Sequence, residues 1–382
     1  MRVCIVYDCL YPYTIGGAER WYRNLAERLA SSGHEVTFLT RRQWGRDDDA
    51  EVPGVRVVVV SPRMRLYAHG RRRILPPLLF GLGVLRHLLR YGRRYDVVHT
   101  ASFPYFSLLA AGAVRTRGGY RVVVDWHEIW TREYWREYVG PLAGRMGWWV
   151  QRACLQVPQR AFCFSRMHER RLRDQGLRGE LTRLEGQYAG PLAPPEPLPA
   201  RPVAVFAGRH IPEKRVPALV PALARAREQI PDLRGEIYGD GPERAQVLKE
   251  IADHGLEDCV IAPGFVDAEI LEHALASALC LVLPSRREGY GLVVIEAAAR
   301  GVPSVVVEGL DNAATELVEE GANGTVAFSA EADDLAAAIV RVYRAGPELR
   351  RSTLDWFHRN EERLSLERSL QIVSAEYASA AS

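Results

Sequence analysis

The sequence predicts an α/β protein built from two doubly wound domains. Three observations carry that expectation: the length, an alternation of apolar strand-like runs with amphipathic helical runs that occurs twice, and a proline-rich segment between the two occurrences. At 382 residues the chain exceeds what one core usually serves, so two domains are expected. Alternating strands and helices build parallel sheets covered on both faces, with ligands taken up at the carboxyl ends of the strands.

In the first half, Val3–Tyr7 reads as a buried strand, and Ala18–Ser32 as a helix with apolar positions at Trp21, Leu25, Ala26 and Leu29. Further strands are expected at Glu35–Thr40, Val55–Ser61, Asp96–Thr100 and Arg121–Asp125, with helical stretches between them. Gly186 to Pro202, GQYAGPLAPPEPLPARP, is too rich in proline for a helix or a central strand and reads as a linker. The second set begins with VAVFAGR after Pro202, followed by a helix over Val216–Gln229 and then RGEIYGDGP. A helix over Arg244–Asp253, CVIAPGFV, a helix over Glu269–Ala278, LVLPSRREGYG and SVVVEG complete it. After Pro347 the chain reads as helical to its end, with Trp356 and Phe357 as apolar anchors. The boundaries this gives are 1–188 and 202–352, joined by 189–201, with closing helices over 353–382 that pack back on the first domain.

Composition narrows the class. Hydrophobic residues at 47% and charged residues at 25% describe a soluble globular protein, and a net charge of +3 singles out no acidic partner; nucleic acid is not expected. The basic residues are almost all arginine, with lysine only at Lys214 and Lys249. The six cysteines (Cys4, Cys9, Cys154, Cys163, Cys259, Cys280) mostly sit in apolar runs without CxxC spacing, so buried reduced thiols in a cytoplasmic protein are expected, and no metal. Met1-Arg2 passes directly into a strand with no signal-peptide pattern, and no apolar run reaches the roughly eighteen residues of a membrane span.

The most informative stretch is Leu281 to Pro303, LVLPSRREGYGLVVIEAAARGVP. A strand-like run leads through a turn to Glu288, then Gly289-Tyr290-Gly291, then an alanine-rich helix carrying Glu296, eight residues after Glu288. Glycines at a strand-to-helix junction let backbone amides approach a ligand, and a helix start favours negative charge. Two carboxylates bordering one pocket accept hydrogen bonds from vicinal hydroxyls, which suits a sugar or ribose. Read alone, the same residues also make an ordinary strand–turn–helix with solvated glutamates.

Three other glycine-bearing turns follow predicted strands. Gly16-Gly17 joins the first strand to the first helix and offers amides to a phosphate or a sugar, but lacks the GxGxxG spacing of dinucleotide binders. Gly208-Arg209, with Lys214 five residues on, places two cations able to clamp a diphosphate; a solvated basic loop is the plain alternative. The third, Tyr238-Gly239-Asp240-Gly241-Pro242, reads as structural.

Taken in order, Gly16-Gly17, Gly208-Arg209 with Lys214, Gly239-Asp240-Gly241-Pro242, Pro263-Gly264-Phe265, Glu288-Gly-Tyr-Gly-Leu with Glu296, and Asp311-Asn-Ala-Ala-Thr-Glu-Leu-Val resemble the retaining GT-B glycosyltransferases of glycosyltransferase family 4. The resemblance covers almost the whole chain and is most specific at the Glu288–Glu296 pair. It implies a GT-B fold, two Rossmann-like domains facing an interdomain cleft, and metal-independent transfer of a sugar from a nucleotide-diphosphate donor, UDP- or GDP-linked, to a hydroxyl acceptor with no cofactor. The acceptor classes left open are a glycan, a lipid-linked intermediate and a small-molecule aglycone. Glu288 would contact the donor sugar, helped by amides of Gly289, Tyr290, Gly291 and Leu292, and Glu296 the ribose. Arg209 and Lys214, after Gly208, would neutralise the diphosphate, Gly264 and Phe265 would meet the base, and Gly16 and Gly17 would close over the diphosphate and acceptor. His127 stands at a strand end where related enzymes carry an active-site histidine; many of them have it directly before an aspartate. Tyr290 stands where phenylalanine is commoner.

Two stretches fall outside that pattern. Arg63 to Arg94 holds nine arginines and no acid, interleaved with Ile74-Leu75 and Leu78-Leu79-Phe80. Trp126, Trp130, Tyr134, Trp135, Tyr138, Trp148 and Trp149 follow soon after. Peripheral contact with an anionic membrane, aromatic stacking on an acceptor, and amphipathic helices packed on a sheet with basic outer faces are the three readings. Asp47-Asp48-Asp49 contains a DxD but lies in a polar loop of the first α/β unit and reads as solvated. The competing functions are a GT-B nucleotide-sugar epimerase and a catalytically silent sugar-nucleotide-binding partner. A glycan phosphorylase would need a pyridoxal phosphate lysine, for which only Lys249 is spare.

Overall fold

The computed structural model describes residues 1–45, 48–68, 71–191, 193, 194 and 196–378. The chain divides into two compact units, Met1–Glu185 with Glu367–Ser382, and Gly186–Leu366.

The sheet of the first unit contains β1 (Arg2–Val6), β2 (Glu35–Arg41), β3 (Val55–Ser61), β4 (Val97–Ala101), β5 (Arg121–Trp126), β6 (Gln159–Cys163) and β7 (Gly179–Arg183). All neighbours are parallel, in the order β3-β2-β1-β4-β5-β6-β7. Helices α1 (Gly17–Ser31), α2 (Leu75–Tyr91), α3 (Tyr105–Gly118), α4 (Arg132–Val139), α5 (Pro141–Leu155) and α6 (Arg166–Asp174) connect them. Val3 to Val6 are wholly buried, as a strand covered on both faces requires. The strand order reverses between β1 and β4, so the loops after these strands are where a doubly wound sheet takes a ligand.

The sequence reading did not anticipate β6 and β7. Strand β7, GELTR, lies at the sheet edge with no buried residue, so the apolar run that marks a central strand is missing. Strand β6 opens with the polar Gln159 and Arg160. The aromatic stretch is mostly core: Trp126 is fully buried with its indole donating to Gln159 Oε1 at 2.8 Å, and Tyr134 and Trp135 are buried. Gln151 Oε1 accepts from Tyr105 Oη, Trp130 N and Trp135 Nε1 at 3.0, 3.1 and 3.1 Å.

A polar cluster fills the centre of the same unit. Asp125, at the end of β5, accepts from Trp21 Nε1 of α1 at 2.6 Å and lies 3.0 Å from His99 Nε2 of β4. The other nitrogen of His99 bonds Tyr377 Oη, which the closing helix Leu366–Ala378 delivers. Burial opposes ionisation of Asp125, but His99, His127 and the Trp21 N–H outweigh it together and hold its carboxyl below the ordinary value. All six cysteines are free thiols, and burial pushes those of Cys163 and Cys280 up to about 12.

The second unit repeats the plan with β8 (Val203–Ala207), β9 (Arg234–Tyr238), β10 (Val260–Gly264), β11 (Cys280–Leu283), β12 (Ser304–Val307) and β13 (Gly324–Ala327), parallel in the order β10-β9-β8-β11-β12-β13. Helices α7 (Leu219–Arg227), α8 (Arg244–Asp253), α9 (Ala268–Ala276), α10 (Leu292–Ala298) and α11 (Ala332–Leu364) surround it. The helix expected from Val216 begins as a short 3-10 turn, Val216–Ala218. Helix α11 carries a break at Gly346, φ 61° and ψ −151°, just before Pro347. Residue 353, where the closing helices were expected to join the first domain, falls inside α11, and the chain rejoins the first unit at Glu367. Trp356 and Phe357 are buried, and the Phe357 ring packs edge-on to Tyr188, 5.2 Å between centroids, which holds this stretch in the second unit. No helix among the described residues is long and apolar enough to cross a membrane.

Buried histidines make stability depend on pH. His87, bonded through Nε2 to Tyr95 Oη at 2.8 Å, is brought down to about 4 by burial and the nearby Arg56, and burial also lowers His127 and His210. Depressed folded-state values mean that the unfolded chain binds more protons below its own value of 6.5, so this contribution is complete above 6.5 and is lost as pH falls through the folded values. Thermal midpoints measured over a descending pH series should fall below 6.5, and His87→Gln should flatten that slope; an unchanged slope in the variant would rule out His87 as a contributor.

Candidate active site

The strand order of the second unit reverses between β8 and β11, and most of the candidate donor residues cluster after these two strands. After β8 the chain turns at Gly208, exposes Arg209, and forms a 3-10 turn, Pro212–Lys214. After β11, Pro284 and Ser285 lead to the two-residue strand Arg287–Glu288, which pairs in parallel with Asp311–Asn312. The two loops are tied through the backbone, Arg286 N donating to Glu213 O at 2.9 Å.

These ties bring Lys214 and Glu288 together. Lys214 Nζ donates to Glu288 Oε1, and Ser285 Oγ donates to the same oxygen at 2.8 Å. Ser285 is held in turn by Asn312, whose Nδ2 donates to Ser285 O at 3.1 Å and to Val307 O at 2.7 Å while its Oδ1 accepts from Ala314 N at 3.1 Å. Glu288 is 8% exposed, so its carboxylate is withdrawn from water and met instead by the Lys214 ammonium and the Ser285 hydroxyl. The sequence reading missed Ser285 and Asn312 as supports. Their signal was available: a hydroxyl three residues before the glutamate, and an asparagine at the head of the Asp311 motif.

Beyond Glu288, Gly289 is half-buried and Tyr290 buried. Gly291 takes φ 99° and caps α10, and a β-carbon there would stand 2.7 Å from Ala314 Cβ. Leu292 opens the helix, half-buried. Glu296 sits half-buried on the same helix, its carbonyl accepting from Arg300 Nη1 at 2.8 Å.

The third glycine turn has a packing role. Gly208 N donates to Tyr238 O at 3.2 Å and Gly239 N to Gly264 O at 2.9 Å, so three glycines stand side by side at the ends of β8, β9 and β10. Gly239 adopts φ 110°, and a β-carbon on it would lie 1.9 Å from Gly208 O. Gly264 adopts φ 96°, and Phe265 beyond it is exposed.

The remaining candidates lie in the first unit. Gly16 and Gly17 open α1, which has no side-chain N-cap. Gly17 has no positive φ, and a β-carbon on it would meet nothing within 4 Å, so neither strain nor crowding calls for glycine there. His127, just beyond β5, stacks flat on Phe164 at 4.7 Å and keeps Nε2 buried without a hydrogen-bond partner among the described residues. Burial holds its pKa below the ordinary value against the pull of Asp125 and Glu128, leaving a neutral imidazole. Asp47 of the DxD lies outside the described residues, and Asp48 and Asp49 are exposed.

Gly239→Ala should destabilise the second unit by about 2 kcal/mol or more, since the new methyl must displace Gly208 in a backbone region that alanine avoids. Denaturant titration monitors this; a loss below about 0.5 kcal/mol would show that the turn relaxes freely.

Comparison with known proteins accounts for this arrangement. Residues 15–184 match the family described as Glycosyltransferase Family 4, and residues 194–353 that described as Glycosyl transferases group 1. The alpha-D-kanosaminyltransferase of Streptomyces kanamyceticus is 33% identical over 40% of this chain and 39% of its own, so the match spans about two-fifths of that relative. The glycogen synthase of Mycobacterium tuberculosis (strain H37Rv) is 27% identical over 89% of this chain and 85% of its own. Among solved structures, sucrose-phosphate synthase from Thermosynechococcus elongatus superposes with a TM-score of 0.78 at 21% identity, covering 100% of both chains. HepE of Anabaena in complex with UDP and glucose gives 0.72 at 18% identity, covering 99% of this chain and 100% of that one. With its two parallel-sheet units of Rossmann type, the chain is an enzyme of the GT-B fold and belongs to the family 4 glycosyltransferases.

Proposed function

We propose that this enzyme transfers a sugar from a nucleotide-diphosphate sugar to a hydroxyl acceptor with retention of anomeric configuration, without a metal ion. The observation that carries the donor assignment is Glu288, buried and fixed by Ser285 and Lys214 beside the glycine turn 289–291. A charged acceptor held in that way binds sugar hydroxyls firmly, because its own desolvation is already met in the folded protein. Structures of HepE hold UDP with glucose and also UDP-glucose, which favours a nucleotide sugar here and places UDP first among the bases to test.

In this reading Glu288 accepts from the sugar hydroxyls and Glu296 from the ribose, with Gly264 and Phe265 at the base. Arg209 and Lys214 stabilise charge on the departing diphosphate, the role that fixed cations fill in phosphate chemistry. Retention follows from a front-face sequence. The bond from the anomeric carbon to the β-phosphate oxygen breaks, the acceptor oxygen bonds to the same face, and its proton passes to the departing phosphate oxygen. No protein base is needed for that transfer. Gly16, Gly17 and neutral His127 are assigned to the acceptor and the diphosphate. The glycine at 17, which the fold itself does not require, supports an approach by ligand.

Lys214→Ala should lower kcat by about 10²–10³-fold, in the range seen when one preorganised charge partner is removed, and Glu288→Gln should lower kcat/KM at least as far. Steady-state assays over a panel of nucleotide sugars, chosen by thermal-shift screening, check both; full activity in Glu288→Gln would overturn the donor assignment. The product should keep the anomeric configuration of the donor, read from its anomeric proton coupling by NMR. An inverted product would rule out the front-face sequence.

A further inference from the structure

The outer face of the first unit is apolar where a water-facing surface would be polar. On α2, Leu75, Leu78 and Leu82 form a row at i, i+3 and i+7 and are all exposed, and on α5, Leu142, Met146 and Trp149 form one at i, i+4 and i+7 with 72%, 70% and 65% exposure. The inward faces of both helices carry glycines. A β-carbon on Gly83 would lie 2.0 Å from Val60 O, and one on Gly81 2.5 Å from Phe106 Cβ. On α5, Gly144 and Gly147 would meet Trp135 at 2.4 and 2.3 Å. Both helices therefore sit with their backbones close against their neighbours, while large side chains that could have filled a core point outward. Packing does not explain that polarity.

The two rows lie on one layer. The connections from β3 to β4, β4 to β5 and β5 to β6 all step in the same direction through the parallel sheet, so right-handed crossovers set α2, α3 and α5 on the same face. Helix α3 packs against both of the others. The three helices together contain six arginines (Arg86, Arg90, Arg115, Arg117, Arg145, Arg152) and no aspartate or glutamate. The segment leading into α2 adds exposed Arg63, Arg65 and Arg73.

We infer that this face docks on an anionic lipid surface, with the leucines of α2 and Leu142, Met146 and Trp149 entering the headgroup–acyl boundary and the arginines meeting lipid phosphates. A bilayer satisfies both features at once: apolar side chains at helical spacing, and positive charge without acids. A second copy of the chain would oppose arginines to arginines, which disfavours self-association through this face. The inference does not depend on the transfer chemistry proposed above.

The test is co-sedimentation of the full chain with vesicles of phosphatidylcholine alone and of phosphatidylcholine with phosphatidylglycerol. Binding to the anionic vesicles is expected to be at least about tenfold tighter and to weaken with salt. Leu78→Ser/Leu82→Ser and Met146→Ser/Trp149→Ser should each weaken it about tenfold or more, with thermal midpoints near that of the parent because these side chains are exposed. Arg86→Glu/Arg90→Glu should remove the preference for anionic lipid. Absence of binding to anionic vesicles, or binding unchanged in all three variants, would overturn the inference. Lipid-free oligomers that dissociate in the two serine variants would overturn it as well, in favour of a protein interface.

Discussion

The buried carboxylate of Glu288 is the constraint around which the second unit is arranged. Removing a carboxylate from water is costly unless donors and a cation meet it, and here Ser285 and Lys214 converge on one of its oxygens. Those two supports come from loops after different strands. The Arg286–Glu213 backbone bond and the Asn312 side chain hold them in register. The glycines at 208, 239 and 264 let the neighbouring strand ends close up beside them. Gly239, whose β-carbon would strike Gly208 O, thus helps set the backbone that carries Lys214.

Much of this was legible in the chain. Strands β8, β11 and β12 of the second unit read as apolar runs because both faces of a parallel sheet are covered, and the lysine at 214 stood out because almost every other cation is arginine. What was hidden was hidden for physical reasons. Strand β7 has no buried face and so no apolar signal. Asp125 was expected only as the end of a strand beside the candidate His127, and the tertiary structure brings its partners, Trp21 and His99, from other parts of the chain. The aromatic stretch was ambiguous because tryptophan serves core and surface alike. Gln151 resolves most of it as core, and Trp149 stands apart as surface.

The two units differ in how they use polar groups. In the second, the buried ionic group lies among residues assigned to the donor, where a ligand would compete for it. In the first, Asp125 is enclosed between α1, β4, β5 and the closing helix and contributes order, with Trp21 donating to it, His99 lying 3.0 Å away and Tyr377 bonding the far side of that imidazole. Such a network ranks among the less forgiving parts of a core, since loss of one member leaves the others unsatisfied.

Tyr377 gives that network a consequence for how the protein is made. It reaches His99 from the helix Leu366–Ala378, and the second unit is encoded between the first unit's two portions. During synthesis from the amino end, the strands and helices of Met1–Glu185 precede the second unit, and the polar centre of their sheet lacks its Tyr377 hydroxyl until all of Gly186–Leu366 has been made. The first unit is therefore begun before the second and completed after it. Its final consolidation waits on the ribosome having delivered the second.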